Sequence, residues 1–263
     1  MISVNYVRLF TFLYCAAIAC AICIRHADQL AYLRLTRPIT VPARILHRWP
    51  VPRLTDTQFD SAGVGLVAAL LLAAGGVMPT AFLLVSAGLF FIYFGQILSL
   101  SYVLRKVSLI PQILLLLAVA PGITRALGSA GPKWPLLLIQ ALLAQMYLSS
   151  GICKIRKAGI SWGAPGQLQG ILLQHHLTYD LPLAAKLARS RWICGILGYG
   201  ALTLELTFWI ALVAPRTAPY YALAGLALHV GAFFLMRIDY LTYHAPSYLV
   251  FAVPALAKML EKR

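Results

Sequence analysis

The longest run of residues without a charged side chain is the feature that most constrains the fold of this chain. Ser61–Leu104 contains 44 consecutive residues without Asp, Glu, Lys or Arg, and Pro79 lies inside the run. A transmembrane helix needs about 20 mostly apolar residues, and proline breaks a helix interior. The run therefore predicts two membrane-spanning helices joined by a tight turn at Pro79.

Further apolar runs occur along the rest of the chain. They are Leu9–Ile24, Val107–Thr124, Trp134–Cys153, Arg191–Pro215, Thr217–Met236 and Tyr240–Ala257. The Arg191–Pro215 run is interrupted only by Glu205, and the last run contains Pro246 and Pro254. The short alternating strands typical of a membrane β-barrel are not seen. We predict an all-α, polytopic transmembrane bundle of seven helices, with Tyr240–Ala257 as an eighth that two prolines interrupt.

The composition indicates the same class of protein. Hydrophobic residues make up 61% of the chain and charged residues 11%, whereas soluble domains are about half apolar and about a quarter charged. The 22 Lys and Arg against 7 Asp and Glu give a net charge of +15, placed in short breaks between apolar runs. That placement favours the lipid bilayer and its anionic lipids as partners, and not nucleic acid.

Two polar segments are too long to be simple turns between spans. Arg25–Asp60 contains six Arg and four Pro, and Lys154–Arg189 contains five Lys or Arg. Long loops in compact domains are usually functional or disordered, so a site is expected in the second segment. Its Gln167–Leu177 stretch has helical spacing, which predicts a surface or re-entrant helix.

The start of the chain and its orientation each have two interpretations. The alternative for Leu9–Ile24 is a signal peptide cleaved after Ala17-Ile18-Ala19, but its flanks fit that pattern poorly, so we favour a retained helix. Basic residues favour the cytoplasmic side of a membrane. Their count places both long polar segments inside and the N-terminus outside.

The cysteines and most of the histidines favour packing over chemistry. Cys20-Ala-Ile-Cys23 has the spacing of a redox pair that would exchange electrons with a quinone, but we favour burial as small apolar residues. His175 and His176 are adjacent, so on a helix they point about 100° apart and do not chelate one ion together. No metal site is predicted. The histidines interpreted as isolated, solvated interfacial residues are His26, His47 and His244.

Three ionisable residues lie inside or at the edge of predicted spans, namely Lys154, Glu205 and His229. Tyr147, Gly151 and Lys154 stand at i, i+4 and i+7 and share one helix face. A buried carboxylate must be protonated or paired, so Lys154 and His229 are the candidate partners of Glu205. One interpretation is a pair that fixes helix register. The other is catalysis, because burial disfavours the ammonium form of Lys154 and makes its amine available as a base.

We expect these three residues to share one polar cavity, capped by residues 162–176. Burying three ionisable groups separately in hydrocarbon would cost several kcal/mol each, whereas convergence lets each group satisfy another. The helices that carry Lys154, Glu205 and His229 are consecutive in sequence, and consecutive elements are usually neighbours in space.

The segment Tyr147-Leu-Ser-Ser-Gly151-Ile-Cys-Lys154, followed by Trp162, resembles a motif in the transmembrane part of vitamin K-dependent γ-carboxylases. The motif also resembles that of their small bacterial relatives, the horizontally transferred transmembrane (HTTM) domain proteins. The resemblance implies one HTTM-type domain over residues 1–263, without a soluble domain, in a bacterial plasma membrane. Further stretches that resemble that domain are Arg8-Leu-Phe, Glu205-Leu-Thr-Phe-Trp and His229-Val-Gly-Ala-Phe-Phe-Leu-Met-Arg-Ile.

In the carboxylases, the lysine that matches Lys154 is the base that deprotonates a reduced quinone. The resemblance therefore implies quinol-linked oxidative chemistry. Leu98–Tyr102 has no histidine where the carboxylases carry one that takes part in carboxylation. The expected substrate is accordingly a peptide or small molecule oxidised by another route than γ-carboxylation. The predicted site residues are Lys154, Glu205 and His229 in catalysis, with Tyr147, Gly151 and Trp162 at the cofactor.

Two other functional classes stay open. The chain has none of the standard catalytic motifs, such as G-x-S-x-G or H-E-x-x-H, which favours a non-catalytic subunit that binds a partner membrane protein. A transporter ranks last, because no inverted repeat with paired broken helices is visible. The resemblance also implies a cytoplasmic N-terminus, opposite to the charge count, and we favour the orientation of the family.

Overall fold

A computed structural model describes residues 5–36, 44–45, 49–50, 52–96, 107–127 and 133–261 of the chain. These residues are almost entirely helical, as predicted. Among the described residues, five helices are long and apolar enough to cross a membrane. They are Tyr6–Leu35, Asp56–Ala74, Leu109–Ala126, Trp134–Gly163 and Pro215–Met236. Their number and length fit an integral membrane protein.

The elements are numbered in the order in which they follow one another along the chain. The α-helices are α1 (Tyr6–Thr36), α2 (Asp56–Ala74), α3 (Pro79–Gly95), α4 (Leu109–Leu127), α5 (Trp134–Ala158), α6 (Pro165–Tyr179), α7 (Pro182–Ala188), α8 (Arg191–Thr207), α9 (Ile210–Val213), α10 (Ala218–Met236), α11 (Leu241–His244) and α12 (Leu249–Glu261). A short antiparallel hairpin pairs β1 (Arg44–Ile45) with β2 (Trp49–Pro50). Short 3-10 helices cover Gly159–Gly163, Pro215–Thr217 and Ala245–Tyr248.

The chain forms two compact units. The first consists of Met1–Leu136 with Thr242–Arg263, and the second consists of Leu137–Leu241. In the first unit α1, α2, α3 and α4 pack in sequence order, each against the next, and α12 packs on α1. In the second unit α6 packs against both α7 and α8. The candidate site described below belongs to the second unit.

The break predicted at Pro79 is confirmed. α2 ends at Ala74, Gly76 has a φ of +79°, and Pro79 opens α3. Proline suits the first turn of a helix, because the N–H that it lacks would have no partner there. At its start α2 has a capping box, in which Thr55 and Gln58 satisfy each other's backbone N–H groups.

α1 continues to Thr36, so the first part of the predicted Arg25–Asp60 loop is helical. Its side chains Phe10, Tyr14 and Ile18 are fully buried. A buried aromatic side chain contributes several kcal/mol to a core, since truncating one to alanine costs about 3–5 kcal/mol. The core of the first unit therefore includes side chains of α1.

Two predicted spans are wrong as single helices. Arg191–Pro215 holds α8, which ends at Thr207, and then the four-residue α9. Thr207 Oγ1 donates to the carbonyl of Thr203, and such back-bonding bends helices. Tyr240–Ala257 is divided among α11, a 3-10 helix that contains Pro246, and α12. The described residues thus contain five candidate spans, where the sequence predicts seven or eight.

α3 accounts for the remaining difference between the number of predicted spans and the number of candidate spans in the structure. It is an apolar helix of 17 residues, at the short end of the range of about 17–25 residues for a membrane span. The last residues of the predicted second span, 97–104, lie outside the described residues. The same holds for Leu98–Tyr102, where the carboxylases carry a histidine, and for His47.

The helix predicted at Gln167–Leu177 is confirmed, since α6 covers Pro165–Tyr179. It folds back onto its neighbours and shares a small apolar core with α7 and α8. The buried residues of that core are Leu172, Leu181, Ala184, Ala188 and Cys194. Its position relative to a membrane surface stays a prediction.

Candidate functional site

The carboxylate of Glu205 is buried on α8 and forms an ion pair with Lys154 on α5. Lys154 Nζ donates to Glu205 Oε1 at 2.6 Å. The exposed fraction of the side chain is 23% for Lys154 and 7% for Glu205. Because the pair is largely shielded from water, the attraction between the charges is stronger than it would be at the surface. Of the two partners predicted for Glu205, the structure selects Lys154.

Ser150 gives the same carboxylate oxygen a second donor. Its Oγ donates to Glu205 Oε1 at 3.1 Å. Ser150 and Lys154 are separated by one helical turn, so both side chains face α8. Sequence reasoning did not single out Ser150, although the i, i+4 spacing from Lys154 is the signal that could have found it.

The other oxygen of the same carboxylate, Oε2, differs from Oε1 in its hydrogen bonding. Glu205 Oε2 is buried and has no hydrogen-bond partner among the residues that the structure describes. Leaving a buried acceptor unsatisfied costs about 1–3 kcal/mol, and more when the group is charged. Oε2 is therefore the atom of this site that is most ready to accept a hydrogen bond from a bound hydroxyl or amide.

An aromatic ring covers the lysine. Lys154 Nζ lies 3.9 Å from the ring centroid of Trp162, which belongs to the 3-10 helix that follows α5 and packs against α8. A cation over an indole ring gains about 0.5–2 kcal/mol, depending on its desolvation. Trp162 thus contacts the ammonium group directly, as expected for a residue that caps the site.

Gly151 allows α5 and α8 to approach closely beside the ion pair. A Cβ atom at this position would lie 3.0 Å from Leu206 Cδ2 and 3.2 Å from Glu205 Cβ. Both separations are shorter than normal van der Waals contact between carbon atoms. The role that this geometry supports for Gly151 is helix approach, and its predicted cofactor contact stays a prediction.

His229 lies on α10 and contacts Tyr147, which is on the same face of α5 as Lys154. Tyr147 Oη and His229 Nε2 lie 3.1 Å apart, and Tyr147 stacks on Phe208 with ring centroids 4.2 Å apart and 3° between the planes. The His229 ring also lies 5.2 Å from that of Tyr240. Tyr147 therefore positions His229 through a hydrogen bond, at the polar edge of an aromatic cluster.

The structure thus divides the predicted site residues into two groups. Lys154 and Glu205 are bonded to each other, and His229 is bonded to Tyr147; within the described chain no hydrogen bond joins His229 to Lys154 or to Glu205. Both groups lie on one face of α5, because Tyr147 and Lys154 are two turns apart. A single shared cavity for the three ionisable residues stays a prediction.

The adjacent histidines of the predicted cap lie on α6. The ring of His175 stacks on Tyr179 of the same helix, 5.8 Å away. The Nδ1 atoms of His175 and His176 are buried without a hydrogen-bond partner in the described ranges. Those ranges contain no group of three or more His, Cys, Asp or Glu side chains that could hold a metal ion.

The expectation that Cys20 and Cys23 are buried is wrong. Both are exposed free thiols, whereas Cys15 and Cys194 are buried. Cys20 and Cys23 fall on the side of α1 that faces away from the core residues Tyr14 and Ile18. Helical periodicity explains this, because residues 20 and 23 lie about 100° or more from those core positions.

The interpretation of His26 as an isolated solvated residue is also wrong. His26 Nδ1 lies 2.8 Å from Tyr93 Oη, and His26 Nε2 lies 2.9 Å from Asp60 Oδ1. The imidazole therefore links α1 to α3 and α2 in the first unit. No local pattern could have revealed this, because the partners are 67 and 34 residues away in sequence. His244, interpreted in the same way, is buried.

No protein-family model, no curated protein and no solved structure matches the chain. The likeness to the HTTM domain therefore depends on the short motifs around Lys154, Glu205 and His229.

Proposed function

We propose that this protein is a membrane-embedded, γ-carboxylase-like enzyme of the HTTM kind, in which Lys154 and Glu205 form the proton-transfer centre. The observation that carries the proposal is the buried ion pair at 2.6 Å, with Glu205 Oε2 unpartnered beside it among the described residues. The reaction class is oxidation of a peptide or small molecule by molecular oxygen, which takes two electrons from the quinol and two from the substrate, with Lys154 as the base.

Stability alone is a weak reason for such a pair. Taking two charges out of water costs several kcal/mol per ion, and apolar replacements of similar volume are often neutral or stabilising by about 1–4 kcal/mol. The unpartnered Oε2 adds to that cost. A polar group kept at such an expense inside an apolar bundle is a functional-site hypothesis by default.

The geometry also suits proton transfer. The proton shared along the Nζ–Oε1 hydrogen bond converts an ammonium–carboxylate pair into an amine and a carboxylic acid when it moves to Glu205. The net charge of the pair is the same in both states, so the low-dielectric surroundings oppose the transfer less than they oppose a single buried charge. The free amine of Lys154 can then accept a proton from a bound hydroxyl.

The residues present fit the reduced quinone that the resemblance implies. A quinol carries aromatic hydroxyl groups, and Glu205 Oε2 is a buried acceptor without a described partner. Trp162 provides an aromatic surface, and Lys154 provides the base next to the acceptor. When bound, the quinol would supply reducing equivalents and an acidic hydroxyl proton. Lys154 and Glu205 would hold that proton, and Trp162 would exclude water from the ammonium group.

The test compares three variants of the full-length protein purified in detergent. Glu205→Gln and the double variant Lys154→Met/Glu205→Leu remove the proton-transfer pair, and Lys157→Met removes an exposed lysine three residues further along α5. We expect wild type and Lys157→Met to co-extract a quinone and to oxidise ubiquinol-1 in aerated buffer, with molecular oxygen as the electron acceptor. The other two variants should oxidise it at least about a hundredfold more slowly, the usual loss when general base catalysis is removed.

Each opposing outcome has a defined meaning. A double variant that melts like wild type and oxidises ubiquinol-1 at the wild-type rate would eliminate the proposed role of the pair. Wild-type protein that neither binds nor oxidises quinol alone, but co-purifies with a stoichiometric partner that does, would make it the non-catalytic subunit considered above.

A further inference from the structure

An open groove of about 650 Å³ lies between α8 and the start of α6 in the second unit. The residues that line it are Pro165, Arg191, Trp192, Gly195, Ile196 and Tyr199. Its volume is within the range of about 300–1,000 Å³ that small-molecule sites occupy. Arg191 is the one charged residue in this lining, so the groove is apolar with a cation at the start of α8.

The charged end of the groove is available to an anion. Arg191 is exposed, and the ion pairs found among the described residues do not include it. Lys186 and Arg189, which precede it closely in the chain, are exposed as well. Three cations within six residues favour an anionic ligand, because each basic residue near an anionic surface contributes about 1 kcal/mol of attraction.

The remainder of the groove suits a hydrocarbon chain. Trp192 is 83% exposed and Ile196, one turn further along α8, is 68% exposed. Trp and Tyr are enriched where the acyl region of a membrane meets its headgroups, since their rings are apolar and carry one polar atom. Trp192 next to Arg191 therefore has the arrangement of a headgroup boundary, from which Ile196 and Tyr199 continue as an apolar surface.

We propose that this groove binds one anionic phospholipid of the surrounding bilayer. The phosphate of the lipid pairs with Arg191, and one acyl chain lies along Ile196 and Tyr199. A zwitterionic phospholipid offers the same chains without the net negative charge, so it occupies the groove less strongly. This inference goes beyond the chemistry proposed for Lys154 and does not depend on it.

The test uses tryptophan fluorescence of the full-length protein in bilayers of dioleoyl-phosphatidylcholine. Brominated phosphatidylglycerol or brominated phosphatidylcholine is added as the quencher, and Trp192→Phe identifies the part of the signal that arises in the groove. We expect phosphatidylglycerol to bind roughly fivefold more strongly than phosphatidylcholine, the equivalent of about 1 kcal/mol. High ionic strength should reduce that preference, because salt screens exposed charges.

Three variants and one competitor distinguish the outcomes. Arg191→Gln should remove the preference, whereas Arg216→Gln, an exposed arginine of the same unit outside the groove, should keep it. Ile196→Ser should weaken quenching by both lipids and leave the preference in place. Equal quenching by the two lipids in wild type would overturn the proposal. Displacement of the lipid by inorganic phosphate would overturn it too, because the groove would then be an anion site without a chain.

Discussion

Two polar clusters in this protein differ in how completely their polar atoms are hydrogen-bonded. The Lys154 cluster (Ser150, Lys154, Trp162 and Glu205) lies in the second unit, and the His26 cluster (His26, Phe59, Asp60 and Tyr93) lies in the first. In the His26 cluster both ring nitrogens have partners, and the imidazole is stacked on Phe59 with centroids 5.4 Å apart. In the Lys154 cluster two formal charges are held together and one carboxylate oxygen is left over.

Because of this difference in hydrogen bonding, we interpret the His26 cluster as a structural network and the Lys154 cluster as a candidate site. A hydrogen-bond network whose members satisfy one another stabilises and specifies a core. Tyr93, His26 and Asp60 do this across three helices, and Asp60 at 49% exposure is in contact with water. A cluster that keeps a buried acceptor without a described partner, as the Lys154 cluster does, is completed only when a ligand or water donates to it. Substitutions in the two clusters should therefore differ in their effects on stability and on activity.

The largest effect on stability is expected for Lys154→Met. The variant leaves the Glu205 carboxylate buried without its cation, and breaking a buried pair from one side costs about 3–5 kcal/mol. Lys154→Met/Glu205→Leu should recover most of that loss while staying inactive. Thermal unfolding in detergent, followed by circular dichroism, measures both. A double variant no more stable than the single one would show that the unpaired carboxylate is not the cause.

A smaller effect is expected for His26→Phe, which keeps the stacking but removes both hydrogen bonds. Tyr93 Oη, in a fully buried side chain, then loses its partner at a cost of about 1–3 kcal/mol. Oxidation of ubiquinol-1 by the folded protein should be unchanged. The control variant Arg34→Gln, on the same helix, breaks an ion pair with Asp56 in which the Arg34 side chain is 59% exposed, and it should cost less than about 1 kcal/mol. Loss of oxidation by folded His26→Phe would remove the distinction between the clusters.

Gly151→Ala should cost about 1 kcal/mol, the lower end of the range for overpacking, because its Cβ would press on Leu206 and Glu205. It should also slow ubiquinol-1 oxidation, since α5 and α8 must separate where the ion pair forms. Gly88→Ala is the matched control, because a Cβ there meets nothing within 4 Å and helical Ala is favoured over Gly by about 0.5–1 kcal/mol. Equal stability of the two variants would contradict the close approach at Gly151.

The smallest effect is expected for Trp162→Leu, which removes the ring over the lysine but keeps an apolar side chain. The expected cost is about 0.5–1 kcal/mol, the value of a partly exposed cation–π contact. In the Lys154→Met/Glu205→Leu background the same substitution should cost less, because the cation is gone. A double-mutant cycle of unfolding free energies measures the difference, and a coupling of zero would show that the ring does not stabilise the ammonium group.

The sequence predicted most of what is local in this structure. Proline placement predicts the break at Pro79, helical spacing predicts the helix around Gln167–Leu177, and the structure confirms both. The division of Arg191–Pro215 was missed, because no Pro or Gly marks the end of α8 at Thr207. Phe208, the next residue, is fully buried and stacks on Tyr147, and that contact comes from a helix distant in sequence.

In the candidate site too, the sequence predicts features that depend on neighbouring residues, but not contacts between residues that are distant in sequence. Hydropathy and the i, i+4, i+7 spacing identified the Lys154 face of α5, since both depend only on neighbouring residues. Tertiary packing decides the long-range partners. It pairs Lys154 with Glu205 and His229 with Tyr147, and it makes His26 a link among three helices. Residues 34 to 82 positions apart form those bonds. Only the folded chain brings them together, because buried polar groups must pair with whichever donors and acceptors the neighbouring helices present.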